Sequence, residues 1–263
     1  MGTNAWKLIP AVLVTGSGVL LFGLRLPLAG YAVLVAGILV AFAVDRRLFR
    51  DLLALGLGIA IMSVVPITTD IGLAHMVIMG VAMILAIALP FVLNRFAFRD
   101  DAITFPFRRG TKWSRTEKVY LPSVLVLGYL LLPVYLIGSG VYVNWPAVST
   151  PGEVGLLFLG TNALGIWDEL FFICTAFALL RRHFPLVVAN VLQAVLFTSF
   201  LYELGFTGWG PLLIFPFAMI QGFIFQHTKS LTYVITVHLL FDLVLFLVLV
   251  HAHNPGFLPI FLY

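Results

Sequence analysis

What most constrains this chain is the succession of its apolar runs. They fall at about 7 to 24, 28 to 44, 52 to 67, 71 to 94, 119 to 138, 154 to 180, 186 to 205, 211 to 226 and 231 to 250, with short polar connections between them. Most are long enough to cross a hydrocarbon core as a helix. Within lipid every backbone N–H and C=O must be paired internally, so runs of this length are read as helices. Hydrophobic residues make up 62% of the chain and charged residues 10%, which excludes an ordinary soluble domain. The expected fold class is all-α, a polytopic helical membrane protein with eight to nine transmembrane helices. Arg25-Leu26-Pro27 is all that separates the first two runs, and the run at 211 to 226 is short. Eight spans plus a re-entrant piece therefore fit beside nine. The first run follows a single Lys and has no small-x-small cleavage site, so it is read as a span and not as a signal peptide.

Basic residues give the orientation, since Lys and Arg are retained on the cytoplasmic side. With the N-terminus cytoplasmic, Lys7, Arg46, Arg47, Arg50, Arg95, Arg99, Arg108, Arg109, Lys112, Arg115, Lys118, Arg181, Arg182 and Lys229 all lie on that side. Arg25 alone lies outside, where it is expected to snorkel to the interface. The C-terminus is then extracytoplasmic, and the expected location is a prokaryotic cytoplasmic membrane. Two parts are expected: residues 1–118, N-terminal helices with a basic connector, and residues 119–263, a transmembrane core with a short extracytoplasmic tail.

The connector from Arg95 to Lys118 interleaves basic residues with Phe96, Phe98, Phe105, Phe107 and Trp113. Cations facing anionic headgroups, with aromatics at the boundary, account for this pattern. Nucleic acid would leave the aromatics without a reason. Ser114-Arg115-Thr116-Glu117 has capping-box spacing, so a helix is predicted to start there. The lone Cys174 lies in an apolar run and reads as a packing residue. His251 and His253, beside a membrane end, read as interfacial, and His75 as a packing residue.

The costly residues lie late in the chain. Asp168, Glu169, Glu203 and Asp242 sit inside the last four apolar runs together with His238, and no Lys or Arg shares their depth. Ionisable groups at membrane depth are expected to be functional. His238 and Asp242 are four apart and share a helix face. At 1.5 Å per residue, Asp168 is roughly 20 Å from Arg181, while His238 and Asp242 are roughly 13 and 20 Å from Lys229, so these depths agree. Glu203, roughly 27 Å along from Pro185, fits less well. Carboxylates this close to one imidazole either share protons or bind a divalent metal. Shared protons suit hydrolysis by activated water. The plain structural alternative is that these acids only hydrogen-bond neighbouring helices through Asn162, Asn190, Gln193 and Gln221.

From about residue 154 to 250 the chain resembles the CPBP family, the CAAX proteases and bacteriocin-processing enzymes. The family's first motif, a Glu-Glu pair followed by Phe-Arg-Gly or a near variant, is met by Asp168-Glu169 with Phe172, Ile173 and Cys174. For the second, Phe-x-x-x-His, the stretch Ser199-Phe200-Leu201-Tyr202-Glu203-Leu204-Gly205 occupies the place. His238 to Asp242 matches the third, His-x-x-x-Asn. The resemblance implies an intramembrane glutamic-type endopeptidase, with Asp168 and Glu169 as base and positioning acid and His238 as oxyanion donor. Ile173 stands where the family has Arg, Glu203 where it has His, and Asp242 where it has Asn. No cofactor is required by this reading. A membrane-embedded peptide is the expected substrate. The rival expectation is a catalytically inactive scaffold or binding subunit on the same fold, partnered by another membrane protein.

Overall fold

A computed structural model describes residues 5–107 and 112–261; Arg108 and Arg109 of the basic set lie outside the described residues. Among the described residues there are nine long helices and no strand. We number them α1 (Ala5–Gly23), α2 (Pro27–Val44), α3 (Arg46–Met62), α4 (Leu73–Ala97), α5 (Arg115–Leu136), α6 (Pro151–Arg181), α7 (Leu186–Leu204), α8 (Gly210–Thr228) and α9 (Leu231–His253). All but α3 are long and apolar enough to cross a membrane.

Local chemistry sets the boundaries. Asp45 caps α3, accepting from the N–H groups of Arg47 and Leu48 at 2.9 and 2.8 Å. The predicted capping box is present at α5, where Ser114 and Glu117 bond reciprocally, and Thr150 with Glu153 repeats the device at α6. Pro27 and Pro151 occupy first-turn positions, where a missing N–H costs nothing.

The ends of the bundle differ in charge. At one end Lys7 pairs with Asp45 at 2.6 Å, and Arg95 pairs with Asp101. Arg182 bridges Asp51 at 3.0 Å and Asp100 at 2.6 Å, while His183 lies 2.7 Å from the second Asp51 oxygen. The Lys7 ammonium, helped by the capping N–H groups, holds the Asp45 carboxyl down at about 2. Burial and the nearby Arg181 push the Lys229 ammonium below its usual range. At the other end Arg25 faces Glu203, and Asn144 donates to the Gly205 carbonyl.

The charged end explains α3. Its first turns carry Arg46, Arg47, Arg50 and Asp51, which lower its hydropathy, yet it runs alongside α2 and α4 from the Asp45 end. Leu48, Leu52, Leu55, Ile59 and Met62 are all buried by those neighbours. Asp51, 1% exposed, is tolerated because Arg182 and His183 take both its oxygens.

The most buried helices are α6 and α9. Against them pack α4, α5, α7 and α8, and α1 closes the far side of α7. Beneath the polar cluster of α6, Trp167 stacks on Phe171 at 4.9 Å and Phe172 meets Phe197 at 4.8 Å. Trp167 Nε1 donates to the Met83 carbonyl at 2.7 Å, tying α6 to α4. Such packing and interhelical hydrogen bonds hold helices together where lipid supplies no hydrophobic drive.

Candidate active site

Asp168 and Glu169 stand where α6 changes its hydrogen-bonding pitch. From Glu169 to Phe177 the helix is wound as a π-helix, and Thr175 Oγ1 returns to the Leu170 carbonyl at 3.0 Å. Such wide turns are rare in helices and recur at functional sites. Nothing in the sequence marks this one.

The two adjacent acids serve opposite edges of one imidazole. His238, on α9, places Nδ1 2.7 Å from Glu169 Oε1. Its Nε2 lies 3.8 Å from Asp168 Oδ2 and 3.8 Å from Asp242 Oδ1. With Glu169 as acceptor, Nδ1 carries the hydrogen, and Nε2 faces the two aspartates. All four residues are at least nine-tenths buried. Among the described residues no Lys or Arg pairs with them.

Gln221, on α8, completes the arrangement. Its Nε2 donates to the same Glu169 oxygen at 2.7 Å and approaches the Val234 carbonyl at 3.3 Å. An amide from α8 thus supplies the donor that Ile173 cannot. Phe217 and Phe197 flank the ring at 5.1 and 6.2 Å. Gly165, one turn before Asp168, allows α9 to approach. A methyl group there would overlap Asp242 Oδ2 and reach within 3.2 Å of His238 Cδ2.

A cavity of about 380 Å³ adjoins the cluster, lined by Asp168, His238 and Asp242 at one end and by Thr68, Thr69, Asp70 and His75 at the other. Ile84 of α4 and Ile166 of α6, both exposed, are among its lining residues. Asp168 Oδ1, Glu169 Oε2, Gln221 Oε1 and Asp242 Oδ2 are buried without a hydrogen-bond partner among the described residues. Buried acceptors of this kind call for donors from a ligand or water. His75, expected only to pack, forms part of the cavity wall and meets Thr68 Oγ1 at 3.1 Å.

Four of the five residues singled out in the sequence therefore meet. Glu203 does not: at the end of α7 it faces Arg25 Nε across 3.8 Å in a separate cleft. The cause is depth, because α7 starts at Leu186, reaches His238 at Phe197 and only then, more than a turn later, reaches residue 203. What α7 offers the cavity instead is apolar, Leu201 and Leu204. Phe197 and Leu201 keep the Phe-x-x-x-His spacing, with leucine in the last place and Phe197 against the imidazole. Among the described residues, no three His, Cys, Asp or Glu side chains are grouped so as to hold a metal ion.

The fold and the site define a polytopic helical membrane protein with an imidazole and three carboxylates at the centre of its C-terminal helices. Residues 150–244 match the family model of type II CAAX prenyl endopeptidase Rce1-like proteins, and this segment, somewhat over a third of the chain, belongs to the CPBP family. The segment contains Asp168, Glu169, Glu203, His238 and Asp242. No curated protein and no solved structure gives a match.

Proposed function

We propose that the chain is a divergent intramembrane endopeptidase that hydrolyses a membrane-embedded peptide with water activated at His238. One observation carries this reading: Glu169 fixes Nδ1 of His238 while Nε2 faces Asp168 and Asp242 at the wall of a cavity. A water at about 2.8 Å from Nε2 and from one aspartate is compatible with their 3.8 Å separation. Nε2 takes a proton as the water oxygen attacks the scissile carbonyl carbon. It returns that proton to the leaving amine as the C–N bond breaks. Glu169 acts through the ring, fixing its tautomer, and Gln221 holds Glu169. In this reading His238 works as base from its neutral Nδ1–H form, in place of the oxyanion-donor role expected from the resemblance. Glu203 has no part in the step. The test is cleavage of quenched transmembrane peptides by wild type, Glu169→Gln and His238→Gln in lipid nanodiscs. Hydrolysis by wild type that both substitutions abolish supports the proposal; equal hydrolysis by all three defeats it.

A second reading, a catalytically inactive scaffold, is favoured by Leu201 and Ile173. They put apolar side chains where the family's motifs place His and Arg. This reading expects no hydrolysis of any peptide by wild type, and a partner complex that withstands Glu169→Gln.

The gathering of basic residues at the Asp45 end supports placing that end in the cytoplasm, with the Arg25 end and the C-terminus outside. Phe96 and Phe107 are exposed on the basic connector, which supports its contact with anionic lipid. Phe105 and Trp113 instead turn inward onto Phe91 and Tyr233. Impermeant labelling of cysteines placed at Lys118 and at Leu28, on opposite ends, tests the orientation.

A further inference from the structure

A second cavity, of about 470 Å³, opens at the Arg25 end, lined by Arg25, Glu203, Thr68, Thr69, Asn144 and Thr207 with their neighbours. Its walls are braced: Thr69 Oγ1 donates to the Asn144 carbonyl at 2.6 Å, and Asn144 Nδ2 lies 3.1 Å from Thr207 Oγ1. Glu203 is mostly buried, and its Oε1 faces Arg25 Nε across 3.8 Å. That is too long for a hydrogen bond, so guanidinium donors and carboxylate oxygens both remain for a third party. Arg25 has φ 52°, a left-handed conformation uncommon outside glycine, and it follows a π-helical end of α1 at Val19–Gly23.

A guanidinium beside a carboxylate suits neither a bare anion nor a bare cation, since each group cancels the other's attraction. It suits a compact zwitterion whose two charges lie as close together as theirs. The setting names the class further. Leu24, Leu26 and Leu28 flank Arg25 and are 59, 50 and 87% exposed, an apolar rim at the boundary of the bundle. A lipid there would place its phosphate on Arg25, which matches phosphate oxygens with a fork of donors, and its chains along the leucines. Glu203 would then accept from a primary ammonium, which offers three N–H donors; a trimethylammonium offers none.

We propose that this cleft is a binding site for the phosphoethanolamine headgroup of a membrane lipid. The cleft shares Thr68, Thr69 and Leu204 with the wall of the cavity at the candidate active site, so the bound headgroup sits beside that cavity. The inference does not depend on hydrolysis.

Cys174 is the sole cysteine and is buried, which gives a direct test. In a Cys174→Ala background carrying Thr69→Cys, the rate of reaction with a membrane-impermeant maleimide is measured in nanodiscs. Phosphatidylethanolamine nanodiscs are expected to slow labelling about ten-fold relative to phosphatidylcholine nanodiscs, the mass-action protection at about ten times the dissociation constant. Glu203→Gln is expected to remove the difference between the two lipids, and Arg25→Gln to remove protection altogether. Soluble phosphoethanolamine added to phosphatidylcholine nanodiscs separates the sources. Protection by it assigns recognition to the headgroup alone, and protection only by the lipid assigns part of it to the chains. A parallel series with Thr207→Cys guards against disturbance of the Thr69 bond. Equal labelling in the two lipids at both positions, or full discrimination retained by Glu203→Gln, overturns the proposal.

Discussion

His238 Nδ1 and Glu169 Oε1 lie 2.7 Å apart, joining α9 to α6 across 69 residues of sequence. The same oxygen accepts from Gln221 at 2.7 Å, so three helices converge on one carboxylate. Gln221→Met keeps the volume and removes the donor. It is expected to cost about 1–3 kcal/mol, the range for losing a hydrogen bond to a buried polar group. Thermal unfolding in detergent measures the cost, and the hydrolytic rate is expected to fall while the helical content is unchanged.

Gly165→Ala tests the closeness of α6 and α9. The added methyl overlaps Asp242 Oδ2, and the nearest carbon of His238 lies 3.2 Å away. Over-packing of a tight contact costs about 1–3 kcal/mol. Since the displaced group is a site residue, turnover is expected to fall more steeply than the unfolding temperature. A comparison of kcat with the melting curve distinguishes this from general loss of fold.

The charged end offers a test of stability away from the site. Asp51 has both oxygens occupied, by Arg182 at 3.0 Å and His183 at 2.7 Å, and is buried. Asp51→Ala strands a cation in a closed position, for which about 3–5 kcal/mol is expected. Chemical unfolding by a mild-to-harsh detergent series reads this, with Asp51→Asn intermediate.

Asp45 predicts an acid dependence. Its carboxyl is held at about 2 by Lys7 first and by the α3 capping N–H groups, below its ordinary value. A depressed carboxylate stabilises the fold above its unfolded value and loses that contribution as pH falls through the folded value. The melting temperature of wild type is therefore expected to fall between about pH 4 and pH 2 by more than that of Asp45→Ala. At neutral pH the substitution itself is expected to cost about 1 kcal/mol through loss of the cap.

Much of this was legible from residue order. Apolar runs gave the helices, the basic residues gave the alternation of ends, and Ser114 with Glu117 gave the start of α5, because each depends on local pattern. His238 and Asp242 could be paired since a four-residue spacing fixes one helix face. Glu203 was misplaced because its depth depends on how straight α7 runs, which no local pattern encodes. The π-helical stretch after Asp168 has no sequence signature either, and Gln221 read only as one amide among several. Its partner lies 52 residues away and is found only by packing. The apolar run at 52 to 67 missed the start of α3 at Arg46, because Arg46, Arg47, Arg50 and Asp51 belong to the helix but not to its apolar pattern.

The central claim, that Glu169 and His238 work as one unit on water, is tested most directly by turnover of a transmembrane-peptide library in nanodiscs. Wild type is compared with Glu169→Gln, His238→Gln and the double variant. The account expects each single substitution to lower kcat by about 100-fold or more and the double to add little beyond, the non-additivity of residues acting together. Cleavage by Glu169→Gln at the wild-type rate would contradict it.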